Sequence, residues 1–182
     1  VSSGTYNNNA QQITATTDGG YVVTWVGVMN GSNITDIYAQ KYNSSGVAVG
    51  SKQVLSGTTT VASDSAPQIT ATNDGGYIVV WSGYTTTNSS DIFIQRFDAS
   101  GAVVGTMQEL YGITGSYADY SVQVKVISDG GYVVTWQGGS NNDVFVQKFD
   151  ISNNKVGAQA TLYSESGTYT DYGSSTIPTS DG

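Results

Sequence analysis

The stretch Asp18-Gly19-Gly20-Tyr21-Val22-Val23-Thr24-Trp25 returns as Asp74-Gly75-Gly76-Tyr77-Ile78-Val79-Val80-Trp81. It returns again as Asp129-Gly130-Gly131-Tyr132-Val133-Val134-Thr135-Trp136. Two glycines after an aspartate supply turn conformations that other residues reach only with strain. The aromatic and β-branched residues that follow place Tyr, Val and Trp at alternate positions, the period of a strand. The motif therefore predicts a tight hairpin leading into a strand, written three times. A fourth start, Asp181-Gly182, stands at the end of the sequence.

Working outward, each motif is preceded by a short alternating run, at 13–16, 69–72 and 124–127, that predicts the other arm of the hairpin. Polar loops of unequal length follow, at 27–35, 83–90 and 138–142. A third strand is predicted over 36–42, 91–97 and 143–149, as in Asp36-Ile37-Tyr38-Ala39-Gln40-Lys41-Tyr42. The turns Asn43-Ser44-Ser45-Gly46 and Asp98-Ala99-Ser100-Gly101 lead to a fourth strand over 47–55, 102–110 and 155–162. The third copy has Asp150-Ile151-Ser152-Asn153 at that turn. Asn is the best non-glycine residue for a left-handed turn position, so the backbone logic is kept.

Both faces of the second and third strands are largely apolar, whereas a sheet with one wet face alternates apolar with polar. Each four-stranded antiparallel unit should therefore pack against the unit before it and the unit after it. The expected fold is all-β, a β-propeller-like array of four-stranded blades, with repeats at about 12–55, 68–110 and 123–162. Partial blades are expected at both ends. Val1-Ser2-Ser3-Gly4 parallels Val54-Leu55-Ser56-Gly57, and a fourth repeat begins near residue 168, with Pro178 in its first strand. Three blades do not close a propeller, so residues 1–182 are expected to be one repeat domain of a longer chain.

Composition narrows the function classes. With 6 basic against 14 acidic residues, and the basic ones dispersed, the chain lacks the clustered Lys and Arg that phosphate backbones require. No apolar run approaches the roughly 20 residues of a membrane span, so neither nucleic acid nor membrane insertion is expected. The chain has no cysteine. A surface of Thr, Ser, Asn, Gln and Tyr without disulfides fits a bacterial extracellular or cell-surface protein.

The absence of His and Cys removes the common triads, thiolate nucleophiles and zinc sites. Asp64, Asp119 and Asp171 recur ten residues before the turn aspartates. An active site is ordinarily one constellation, so recurrence favours caps that bind backbone amides over catalysis. Oxygen ligands at these three positions would suit calcium, the one cofactor the chemistry admits, although no EF-hand or nonapeptide calcium loop is present. Aromatic faces beside Asn, Asp and Gln suit sugars. The candidates are Trp25, Trp81 and Trp136 with the loop residues Tyr84, Tyr117 and Tyr120. The three tryptophans share one face in every copy, which favours core packing for them and leaves the tyrosines freer.

The combination of Ile13-Thr14-Ala15-Thr16, the Asp-Gly-Gly-Tyr-Val-Val-Thr-Trp motif and Asp36-Ile37-Tyr38-Ala39-Gln40-Lys41-Tyr42 resembles tandem repeats of large bacterial secreted and surface proteins, including type I secreted adhesin-like proteins. The Asp-Gly turn near a Trp also looks like the Asp-box of sialidase-type propellers. The arginine cluster of those enzymes is missing, and no sialidase activity is carried over. The resemblance implies a non-enzymatic structural or adhesive module, with other copies or domains of the same protein as partners. A glycan-binding propeller and a self-assembling subunit of a filament or surface layer are the alternatives.

Overall fold

In the computed structural model, the described residues are 9–28, 34–55, 63–84, 89–111, 117–140 and 142–163. The expected partial blades, including Pro178 and the metal candidate Asp171, lie outside them. The described chain is all-β, and it forms three four-stranded antiparallel sheets in which strand order follows chain order. Sheet I holds β1 (Asn9–Ala15), β2 (Tyr21–Val28), β3 (Thr35–Tyr42) and β4 (Ala48–Leu55). Sheet II holds β5 (Ser65–Ala71), β6 (Tyr77–Tyr84), β7 (Ser90–Phe97) and β8 (Val103–Leu110). Sheet III holds β9 (Tyr120–Val126), β10 (Tyr132–Gly138), β11 (Asp143–Phe149) and β12 (Lys155–Tyr163).

The Asp-Gly-Gly hairpins form as the motif predicts, but the two glycines act differently. Gly19, Gly75 and Gly130 adopt φ of 81°, 85° and 84°, the left-handed region. Gly20, Gly76 and Gly131 do not. A Cβ there would run into the backbone carbonyl of Tyr42, Phe97 or Phe149 on the neighbouring strand. The second glycine is thus required by close approach and not by φ. The aspartate closes the turn: Asp18 accepts from the Gly20 N–H at 3.1 Å and from the Thr16 hydroxyl at 2.5 Å, a pattern that Asp74 repeats with Gly76 and Thr72.

The first strands start earlier than the alternating runs suggest. Each contains an irregular register, between Asn9 and Gln12 in β1 and between Ser65 and Gln68 in β5, with Ala10, Ala66 and Ser121 at positive φ. These are bulges made without glycine, so no local signal marks them. Pro67 falls inside the β5 irregularity, where the ladder does not need its missing N–H.

The sheets pack face to face. Val22, Val26, Ile37, Ala39 and Leu55 of sheet I are buried against Tyr77, Val79, Trp81, Phe93 and Phe97 of sheet II. The opposite face of sheet II, with Ile78, Val80, Ile92, Ile94 and Leu110, is buried against Tyr132, Val134, Trp136, Phe145 and Phe149 of sheet III. The first strands run along both junctions, β1 beside β5 and β5 beside β9. Sheet II is therefore covered on both faces, as its continuous apolar strands require. Burial of each large apolar side chain contributes roughly 1.5–3 kcal/mol, so the junctions dominate the stability of the array.

Candidate functional site

The third strand carries the chain's most unusual placement. Lys41 and Arg96 occupy equivalent positions in β3 and β7 and are 1% and 2% exposed. Both side chains lie on the face that meets the next sheet. Lys41 Nζ contacts Asp18 Oδ2 at 2.9 Å and donates to the carbonyls of Gly75 at 3.0 Å and Ala99 at 2.7 Å, both in turns of sheet II. A buried ammonium needs such partners. Arg96 Nη2 pairs with Asp74 at 2.6 Å, and its charge acts on Tyr132 and Asp150 of sheet III. In the third copy Lys148 pairs with Asp129 at 2.7 Å but is 39% exposed. The recurrence of a cation amid apolar residues is the sequence signal for this arrangement, but nothing in the sequence announces its burial.

The residue before each cation is Gln, and its amide bridges the third and fourth strands. Gln40 Nε2 donates to Lys41 O at 2.9 Å and Val49 O at 3.2 Å. Gln95 and Gln147 repeat this with Arg96 and Val104, and with Lys148 and Val156. The third and fourth strands slip in register here, and the amide covers carbonyls that the ladder leaves open.

The turn carboxylates are held below the usual range, Asp18 most of all. The Lys41 ammonium, with the Thr16 hydroxyl and Gly20 N–H, lowers Asp18. At Asp74 burial acts upward, but Thr72, Gly76 and Arg96 together outweigh it. Lys148 lowers Asp129, the Ser100 hydroxyl lowers Asp98, and the Asn154 N–H lowers Asp150. Burial pushes the phenols of Tyr77 and Tyr132 upward.

The aromatic candidates divide by sheet. Trp81 and Trp136 are fully buried, stacked on Phe93 and Phe145 with centroids 5.8 and 5.7 Å apart. They are packing residues at the junctions. Trp25 has the same motif and stacks on Tyr38 at 5.7 Å, yet it is only half-buried, because its face of sheet I meets no described sheet. Tyr21 and Tyr42 stack beside it at 5.1 Å. The open face is thus a row of aromatic rings with phenol hydroxyls, where the other sheets have Phe97 and Phe149 opposite their tyrosines.

Tyr84, Tyr117 and Tyr120 are exposed. The backbone brings Tyr84 and Tyr120 to the same end of the junction between sheets II and III. Tyr84 is the register partner of Ser90, whose carbonyl accepts from the Asp119 N–H beside Tyr120. Asp64 and Asp119 are buried at 2% and 1%. The Asp64 N–H donates to Thr35 O at 2.7 Å and the Asp119 N–H to Ser90 O at 2.5 Å, so each residue ties its sheet to the preceding one. Their carboxylates lie against Gly83 and Gly138, where a Cβ would collide with them. Asp64 and Asp119 belong to successive junctions and do not converge on one point. Among the described residues there is no group of three or more acidic side chains placed to hold a metal.

No family model matches the sequence, and no curated protein does. Among solved structures, the chain is similar to a protein of unknown function from Dyadobacter fermentans DSM 18053, at 8% identity and a TM-score of 0.36. The similarity covers 86% of this chain and 69% of that one.

Proposed function

We propose that this chain is a non-enzymatic repeat module of a bacterial extracellular or cell-surface protein, serving as scaffold, spacer or adhesive unit. Its sheets are successive blades of a propeller-like array, a reading supported by the run of first strands along both junctions. One observation carries the functional reading: the polar residues that recur are spent on framework. Asp18 and Asp74 close hairpins, Gln40 and Gln95 cover strand irregularities, and Lys41 clamps the next sheet. Residues so employed are not available as a reactive constellation.

The test is a hydrolase screen with glycoside, ester and phosphoester substrates. Turnover that a single substitution abolishes would overturn the proposal; stable folding without turnover supports it.

A second reading, glycan binding, is favoured by the half-open row of Trp25, Tyr38, Tyr21 and Tyr42. Planar rings with adjacent hydroxyls stack on the apolar faces of sugars. A glycan array showing hits that Trp25→Ala removes would establish it, and an array without hits would exclude it.

A further inference from the structure

At one end of the junction between sheets II and III, buried oxygens gather without a positive charge to meet them. β10 turns Tyr132, Val134, Trp136 and Gly138 toward sheet II, and β11 turns Asp143, Phe145 and Phe149 the same way. Gly138 and Asp143 are register partners, so their side-chain positions stand side by side on that face. The place that a Gly138 Cβ would take is filled by Asp119 Oδ1. Directly paired positions on one face are about 4.5–5.5 Å apart, which brings the Asp119 and Asp143 carboxylates within reach of one ion. The two residues are 1% and 3% exposed.

Asp143 Oδ1 has no hydrogen-bond partner among the described residues, and neither has Ser82 Oγ on sheet II, which is also buried. Ser82 shares with Ile78 and Val80 the face that sheet III covers. Its pair with Ile92 is the next on that face after Tyr84 with Ser90, and Ser90 is where the Asp119 N–H docks. The hydroxyl of one sheet and the two carboxylates of the other therefore come to the same end of the same junction. A buried carboxylate oxygen without a partner is costly, and a second carboxylate beside it adds to the cost. The chain's own cations do not answer it. Arg96, Lys125, Lys148 and Lys155 pair in register with Ile78, Val133, Val133 and Phe149, beside the Asp-Gly-Gly turns at the opposite end, and Lys41 and Lys52 belong to sheet I.

We propose that this end of the junction is a calcium site, with Asp119 and Asp143 as carboxylate ligands and Ser82 Oγ as a neutral oxygen ligand. Oxygen donors without nitrogen or sulfur suit a hard divalent cation. Calcium accepts the irregular geometry of ligands drawn from two sheets, whereas magnesium demands a near-ideal octahedron. Water and backbone carbonyls would complete the roughly six to eight oxygens that calcium takes. The bound ion fastens sheet III to sheet II. The preceding junction has the matching carboxylates, Asp64 against Gly83 and Asp91 as the register partner of Gly83, but there Val26 stands where sheet II has Ser82. It lacks the hydroxyl and is assigned no ion.

The test uses the full chain, stripped of metal with a chelator and titrated calorimetrically with calcium chloride, with magnesium chloride for comparison. Calcium should bind with a dissociation constant of roughly 0.1–1 mM, as in extracellular modules, and magnesium at least about tenfold more weakly. Asp143→Asn should weaken calcium binding at least about tenfold. Ser82→Val installs the residue of the preceding junction and should weaken binding by about three- to tenfold. Asp98→Asn is the control: it removes a charge at the opposite end of sheet II, leaves the residue that the first copy has at Asn43, and should not change the affinity. Circular dichroism checks folding; if Asp143→Asn does not fold, Ser82→Val carries the test alone. No calcium binding up to about 10 mM, magnesium binding as tightly as calcium, or a folded Asp143→Asn or Ser82→Val with wild-type affinity overturns the proposal.

Discussion

Replacing Lys41 by Met tests whether the buried cation holds sheet I to sheet II. Met keeps most of the aliphatic stem, so packing is retained while the ammonium is lost. Two of the three partners of Nζ, the carbonyls of Gly75 and Ala99, belong to the neighbouring sheet. A hydrogen bond from a charged donor contributes at least about 1.5 kcal/mol, so the two sum to about 3 kcal/mol. Relief of the ammonium's desolvation returns part of this, leaving a loss of about 2 kcal/mol. In urea unfolding, with a slope of about 2 kcal/mol/M, the midpoint should fall by about 1 M at unchanged slope. Amide exchange should show the loss concentrated in sheet I, since repeat arrays open at their weakest junction. Lys148→Met is the control: its partner is the exposed Asp129, and the monomer's midpoint should not move measurably. An unchanged midpoint for Lys41→Met, or an equal fall for both variants, refutes the reasoning.

Three further outcomes follow from the same geometry. Gly76→Ala should destabilise by about 2–4 kcal/mol in urea unfolding, because its Cβ would meet the Phe97 carbonyl and the backbone cannot yield as a side chain can. Asn153 has φ of 70°, accepts from the Tyr132 hydroxyl and donates to Thr106 O at 2.7 Å. Asn153→Gly keeps the turn and loses both bonds, at about 1–2 kcal/mol, while Asn153→Ala adds backbone strain and should cost more in the same assay. Asp18, Asp74, Asp98, Asp129 and Asp150 all ionise more readily when folded. Their contribution is complete above the unfolded carboxylate range near pH 4 and is lost as pH falls through the lowered folded values, so thermal midpoints should drop steadily below about pH 4.

Much of the fold is legible because its signals are local. The Asp-Gly-Gly hairpins, the third and fourth strands and the left-handed Asn153 all follow from short-range backbone preferences. Bulges at Ala10, Ala66 and Ser121 escape such reading, since nothing in Ala or Ser announces positive φ; strand pairing imposes it. The second glycine of each hairpin misleads in a related way, its need arising from a carbonyl on another strand. The recurring aspartates ahead of the hairpins read locally as loop caps. Asp64 and Asp119 also tie one sheet to the next through their backbone N–H groups, a contact no local reading reveals.

The repeated motif alone determined that the described residues make three hairpin-led sheets whose second and third strands are largely apolar on both faces. It could not determine which of three identical tryptophans meets water. Trp81 and Trp136 are enclosed and Trp25 is half-open because burial depends on what lies on the far side of a sheet, not on the residues beside the tryptophan in the chain. The same holds for Lys41 and Lys148: one position in the repeat is a buried clamp where a sheet follows and an exposed cation where none is described. Local backbone preference is written in the sequence, while desolvation is decided by neighbours, and the open surfaces of this protein become visible only once its sheets are stacked.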